Sequence, residues 1–153
     1  MRSVGLRVLI VVVVAFTALS LVGSPRVSPT SSPGEPQTKA QPSTDMTAGL
    51  SVPPGATPEM VALGFHLFRG EAGGGTCYTC HGADAKGTPL APDLTDDKWL
   101  WSDGSWQAII KTITDGVPHP KEHHSQMPPR GGTQFTPEQA AAVAAYVWAL
   151  SHH

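Results

Sequence analysis

Cys77-Tyr78-Thr79-Cys80-His81 is the only place in the 153-residue chain where cysteine occurs, and it spells Cys-x-x-Cys-His. That spacing is the attachment pattern for a c-type haem. Two thiols three positions apart can each add across a haem vinyl group as thioethers, and the next residue brings an imidazole under the ring to ligate the iron. Attachment and proximal ligation are encoded together in these residues. A single motif implies a single covalent haem c, held through Cys77 and Cys80.

Other uses of paired cysteines fit less well. A structural zinc site takes four nitrogen or sulfur ligands, usually as two separated pairs, and there is no second cysteine pair here. A thioredoxin-like pair follows a strand in a βαβ pattern, whereas Arg69 to Thr76 is glycine-rich and follows a helical stretch. A disulfide closed over three residues would be strained and would leave His81 without a role.

Working outward, the chain divides into three parts. Residues 1–23 place Arg2 and Arg7 before an uncharged run, Val8 to Val22, which reads as an export signal or a membrane anchor. Ala18-Leu19-Ser20 offers small residues for cleavage, while extending the run back to residue 4 approaches the roughly 20 residues that a spanning helix needs. Both readings stand, with a long spacer favouring a retained anchor. Because both arginines precede the apolar run, the rest of the chain belongs on the far side of the cytoplasmic membrane, on the periplasmic side or secreted. Residues 24–57 carry Pro25, Pro29, Pro33, Pro36, Pro42, Pro53 and Pro54 among small polar residues, and read as a disordered, semi-stiff linker with too little apolar surface to fold.

Residues 58–153 remain as the folded domain. Six Lys and Arg stand there against ten Asp and Glu, a net charge of −4. That balance argues against nucleic acid, which demands a basic surface.

Three helices share one apolar pattern. Thr57-Pro58 supplies a cap and a proline at the first position of a helix whose Val61, Gly64, Phe65 and Phe68 fall on one face, ending at Gly70. A second helix repeats the spacing with Trp106, Ile109, Ile110 and Ile113 after a cap at Asp103 or a nearby serine, and stops at Asp115-Gly116. The third opens with Thr136-Pro137-Glu138-Gln139, a capping box, and presents Val143, Tyr146, Val147 and Leu150. A short helical turn is expected at Asp96 to Trp101 after a Thr95 cap. No segment alternates as a strand does, so the fold class is all-α. So small a domain has little core of its own, and a haem would supply apolar bulk; Phe65, Phe68, Trp99, Trp106 and Tyr146 are expected around it or between helices.

For the other side of the iron the chain offers Met127, His119, His123, His124, His152 and His153. Met127 sits in Gln126-Met127-Pro128-Pro129-Arg130-Gly131-Gly132, a stiff loop that ends in a tight turn and suits a weak thioether ligand. Taken with the helix carrying Gly64 and Phe68 ahead of the attachment motif, and with Tyr146 and Trp148 on the last helix, this order resembles the class I cytochrome c family over about Met60 to Leu150. The resemblance implies that Gly64 lets the first and last helices cross closely and that Met127 is the distal ligand. It also implies that Pro92, in Pro92-Asp93-Leu94, accepts a hydrogen bond from the proximal imidazole. The histidines at 119, 123 and 124 depart from the family pattern, and one of them could displace the methionine.

With His81 and Met127 both on the iron, no position is left for substrate. The expected function is one-electron transfer between membrane or periplasmic redox partners, with a donor and an acceptor protein, as a free shuttle or as a subunit of a respiratory membrane complex, and without enzymatic activity of its own. The alternative is a haem-based gas sensor or peroxidase-like enzyme, which requires a labile distal ligand.

Overall fold

The computed structural model of the chain describes residues 44–152. The apolar segment 1–23 and most of the proline-rich segment lie outside the described residues.

Four α-helices carry the fold of the described residues: α1 Pro58–Phe68, α2 Cys77–His81, α3 Trp106–Asp115 and α4 Pro137–Ser151. Among the described residues there is no sheet, and only two isolated bridges, Thr88 with Ala91 and Val117 with Met127, interrupt the loops. No helix among them is long and apolar enough to cross a membrane.

The caps act as the sequence signals. Thr57 Oγ1 accepts from Met60 N at 3.3 Å ahead of Pro58. Ser105 Oγ accepts from Ala108 N at 3.3 Å and starts α3. At α4 the capping box closes both ways, with Gln139 N donating to Thr136 Oγ1 at 3.2 Å and Thr136 N donating to Gln139 Oε1 at 2.9 Å. Each pair satisfies backbone groups that a helix end leaves unpaired.

The crossing of α1 on α4 organises the core. Val61, Leu67 and Phe68 of α1 are buried, as are Val143, Tyr146, Val147 and five alanines of α4. Burial of each large side chain contributes about 1.5–3 kcal/mol. Gly64 sits at the closest approach: a Cβ there would lie 2.0 Å from the Ala142 carbonyl oxygen and 2.8 Å from Tyr146 Cβ. Phe65 and Phe68 flank it, each edge-on to Tyr146 at 5.6 Å between ring centroids. Trp106 Nε1 donates to Ala141 O at 3.1 Å and ties α3 to the same helix.

Two expectations change. The folded part begins before residue 58: a 3-10 turn at Thr44–Thr47 precedes Leu50 and Val52, which pack on the core, and Pro53 is fully buried. These few apolar residues, placed together, suffice to dock the end of the supposed linker. The segment 96–101 forms bends rather than a helical turn. Local turns form there instead: the Thr95 N–H and O–H both donate back to Asp93 Oδ1 at 2.7 Å, and Asp96 Oδ1 takes Lys98 N at 3.1 Å. Such local side-chain bonds compete with helix formation.

Candidate haem-binding site

The sequence motif forms α2 itself. Its cap residue Thr76 makes no capping bond and donates instead to Gly131 O at 2.9 Å, which joins the motif to the loop after Met127. Cys77 and Cys80 are not bonded to each other. Both are partly buried at the edge of a cavity with about 160 Å³ open to the centre of a water molecule, an order of magnitude more than one water needs. Burial pushes the Cys77 thiol up, keeping it protonated at neutral pH.

His81 is fixed by the loop that follows it. Its Nδ1 lies 2.9 Å from Pro92 O. A carbonyl oxygen can only accept, so Nδ1 carries the proton and Nε2 keeps its lone pair. Burial holds the imidazole below its ordinary pKa, with the Pro92 carbonyl opposing and the charge of His123 adding to the depression. The Pro92 segment is itself braced. Gly87 N donates to His81 O at 2.8 Å, Leu94 N to Ala85 O at 2.8 Å, and Thr88 Oγ1 to Cys80 O at 2.6 Å. Arg69 Nη1 reaches Ala83 O at 3.0 Å from the end of α1.

Met127 lines the same cavity. Its backbone is clamped on both sides, Val117 N donating to Met127 O at 2.7 Å and Met127 N to Val117 O at 3.0 Å. Gly116 makes the clamp possible. It adopts φ 73°, ψ −174°, a region open essentially to glycine alone, and a Cβ there would lie 2.4 Å from Met127 O and 2.7 Å from Pro129 N. After the two prolines, Arg130 and Gly131 turn back through left-handed conformations, φ 53° and 64°.

The remaining walls are mostly apolar: Phe68, Leu94, Trp99, Ile109, Val143 and Val147. Of the five aromatics singled out from sequence, Phe68 and Trp99 line the cavity, whereas Phe65, Trp106 and Tyr146 serve helix contacts. Trp101, Val117, Lys121 and His123 also line it. Trp101 sits in a segment whose expected turn does not form, and no pattern in the sequence marks Val117 as the partner of a residue ten positions away. Of the three clustered histidines, His119 and His124 are exposed and only His123 reaches the cavity.

The residues present fit a c-type haem. An apolar slot has two thiols at its edge, an imidazole with a fixed proton and a free Nε2, and a soft thioether among its walls.

The chain is similar to proteins of known family. The family model for cytochrome c matches residues 61–151. The Cbb3-type cytochrome c oxidase subunit FixPc of Rhizobium leguminosarum bv. viciae is 44% identical over 79 residues, 50% of this chain and 27% of that protein. The Cbb3-type cytochrome c oxidase subunit CcoP of Rubrivivax gelatinosus is 39% identical over 94 residues, 61% of this chain and 27% of that protein. The subunit FixP of Bradyrhizobium sp. (strain ORS 278) is 43% identical over 102 residues, 61% of this chain and 33% of that protein. The chain thus spans roughly a quarter to a third of the length of these relatives. Among solved structures, cytochrome CL of Methylophaga aminisulfidivorans MPT is 28% identical, with 58% of this chain and 51% of that one covered at a TM-score of 0.45.

Proposed function

The chain belongs to the cytochrome c family, and from that premise we propose that it is a one-electron carrier built on one haem c, attached at Cys77 and Cys80 and ligated by His81 and Met127. One observation carries the reading: His81, with Nδ1 held by Pro92 O at 2.9 Å, and Met127, clamped to Val117 at 2.7 and 3.0 Å, line one apolar cavity that the two cysteines edge.

When bound, the haem supplies reversible Fe(II)/Fe(III) redox chemistry. The chain's own residues decide how that chemistry is used. The Pro92 carbonyl orients the His81 ring and raises its basicity through the shared proton. Met127 offers a thioether, which with histidine favours the ferrous state and raises the potential relative to two histidines. Phe68, Ile109, Val143 and Val147 exclude water, and the clamped backbone limits how far the two ligands move between oxidation states. His81 and Met127 would both hold the iron, which would leave sensing and peroxidase chemistry no vacant site.

The partners are redox proteins. The relatives named as oxidase subunits support a place in, or beside, a respiratory membrane complex. The arginines and apolar run of residues 1–23 support export to the periplasmic side, with the proline-rich segment as a tether if the run is retained.

An optical redox titration of the haem-loaded protein tests the reading. It should give one reversible one-electron step, a weak sulfur-to-iron band in the ferric form, and no rapid carbon monoxide binding in the ferrous form. Absence of that band in the intact protein, or fast carbon monoxide uptake at neutral pH, would sink it.

A further inference from the structure

The histidine cluster at residues 119–124 has no role in the function proposed above, and the structure separates its members. His119 and His124 are exposed; His123 is half-buried and lines the cavity that Met127 and His81 share. We propose that His123 is a reserve axial ligand: when the Met127 sulfur is lost or displaced, the His123 imidazole takes its place on the iron, giving a bis-histidine site instead of an open one. This rests on the reading of Met127 as the ordinary ligand.

The way the loop is held explains why sulfur comes first and imidazole second. Met127 stands at the clamped base of the segment that begins at Val117, where the two backbone bonds measure 2.7 and 3.0 Å. His123 lies in its outer part. Beyond it, His124 N and Ser125 N reach Pro89 O and Leu90 O only at 3.4 Å each, past the range of well-formed N–H···O bonds. Before it, Lys121 is fastened to the opposite wall, its Nζ donating to Leu100 O at 2.8 Å and lying 4.6 Å from the Trp101 ring centroid. No proline or glycine falls between Lys121 and Gln126. The His123 stretch can therefore shift between a firm anchor and a weak one, while Met127 cannot. A ligand on the rigid base loses less entropy on binding, so sulfur holds the site. Imidazole binds iron well, and His123 lines the cavity that His81 and Met127 share.

The consequence is protective. A cytochrome that loses its methionine ligand, by oxidation to the sulfoxide for example, would drop in potential but still deny the iron to small ligands.

The test compares haem-loaded Met127→Ala with Met127→Ala/His123→Ala and with Met127→Ala/His124→Ala. The single variant should lose the sulfur-to-iron band, remain low-spin and six-coordinate, and show a lower potential. Removing His123 as well should give a high-spin or water-ligated iron and raise the carbon monoxide affinity of the ferrous form at least roughly tenfold, the factor set by a site more than about nine-tenths occupied. The His124 double variant should behave as the single one. Met127→Leu, which keeps the volume, replaces the alanine variant if that one does not take up haem. A single variant that is already high-spin, or a His123 double variant that stays low-spin, overturns the reserve ligand. A single variant that keeps the sulfur-to-iron band overturns the assignment of Met127 beneath it.

Discussion

Gly116→Ala should release the methionine ligand without touching it. At φ 73°, ψ −174° alanine does not fit, and a non-glycine residue forced there costs about 1–3 kcal/mol. The new Cβ would also press on backbone, 2.4 Å from Met127 O and 2.7 Å from Pro129 N, with no flexible side chain to yield. Normal contact needs almost 1 Å more. The chain can relieve this only by moving residues 127–129 away, which breaks the bonds of 2.7 and 3.0 Å between Val117 and Met127. Each lost bond costs about 1 kcal/mol, so strain and bonds together come to about 3 kcal/mol, or roughly two decades in an equilibrium constant. External imidazole competes with Met127 for the ferric iron and must first open that clamp. In the variant the opening has already been made, so in a His123→Ala background, where no reserve imidazole competes, imidazole affinity should rise on the order of 100-fold, and the sulfur-to-iron band should fade. Equilibrium titration of the ferric protein with imidazole reads both. An affinity within about twofold of His123→Ala alone, with the band intact, would refute the claim that the Gly116 turn holds the ligand.

The other expectations follow from different parts of the fold. Gly64→Ala gains about 1 kcal/mol in helix propensity but drives a Cβ to 2.0 Å from Ala142 O, an overpacking at or above the usual 1–3 kcal/mol. A net loss of about 2 kcal/mol should lower Tm by roughly 8–16 °C in calorimetry, and an unchanged Tm would mean that α1 and α4 do not cross there. Lys121→Ala removes the anchor to Leu100 O and the Trp101 ring. It should lower stability by about 1–2 kcal/mol, since an exposed cation–π contact and one hydrogen bond are each worth about 1 kcal/mol or less, read as a fall in the chemical-denaturation midpoint; Lys121→Arg should recover part of the loss, and an unchanged midpoint would mean that the anchor carries no energy. Bonds from His66 and Arg69 hold the Glu71 carboxyl below its ordinary value. The unfolded chain therefore binds the proton first, and the stability this group adds is complete above about pH 4.3 and lost as pH falls through the lowered value. Glu71→Gln should flatten the acid limb of a stability-against-pH curve in that window, and an unaltered limb would assign the acid sensitivity elsewhere.

What could be read from sequence was local. Thr57-Pro58 and Thr136-Pro137 announce their helices because a cap and its proline act within one turn, and Cys77 to His81 announces itself because attachment chemistry fixes its spacing. Met127 was marked by its stiff loop and by the family's order of residues, Pro92 by that order alone. The bonds that give them their positions join distant parts of the chain: His81 to Pro92 over 11 residues, Thr76 to Gly131 over 55. Gly116 reads in sequence as a helix stop, which it is, and its second role depends on a loop that only the fold brings against it. Residues 44–57 were hidden by averaging. Their composition is that of a linker, yet Leu50, Val52 and Pro53 are enough to dock once α1 presents a surface for them.

Core and cavity are not separate in this domain. Phe68, Ile109, Ile113, Val143 and Val147 belong to the hydrophobic core and also line the cavity, so a single layer of side chains faces the helix packing on one side and the haem slot on the other. A group filling the slot therefore serves as core as well as cofactor. The same coupling explains why the ligands sit on clamped backbone rather than on free loops: any looseness at His81 or Met127 would be looseness of the core. It also explains why adaptability is confined to the outer stretch around His123, the part of the wall where the backbone bonds are long and no core residue is carried.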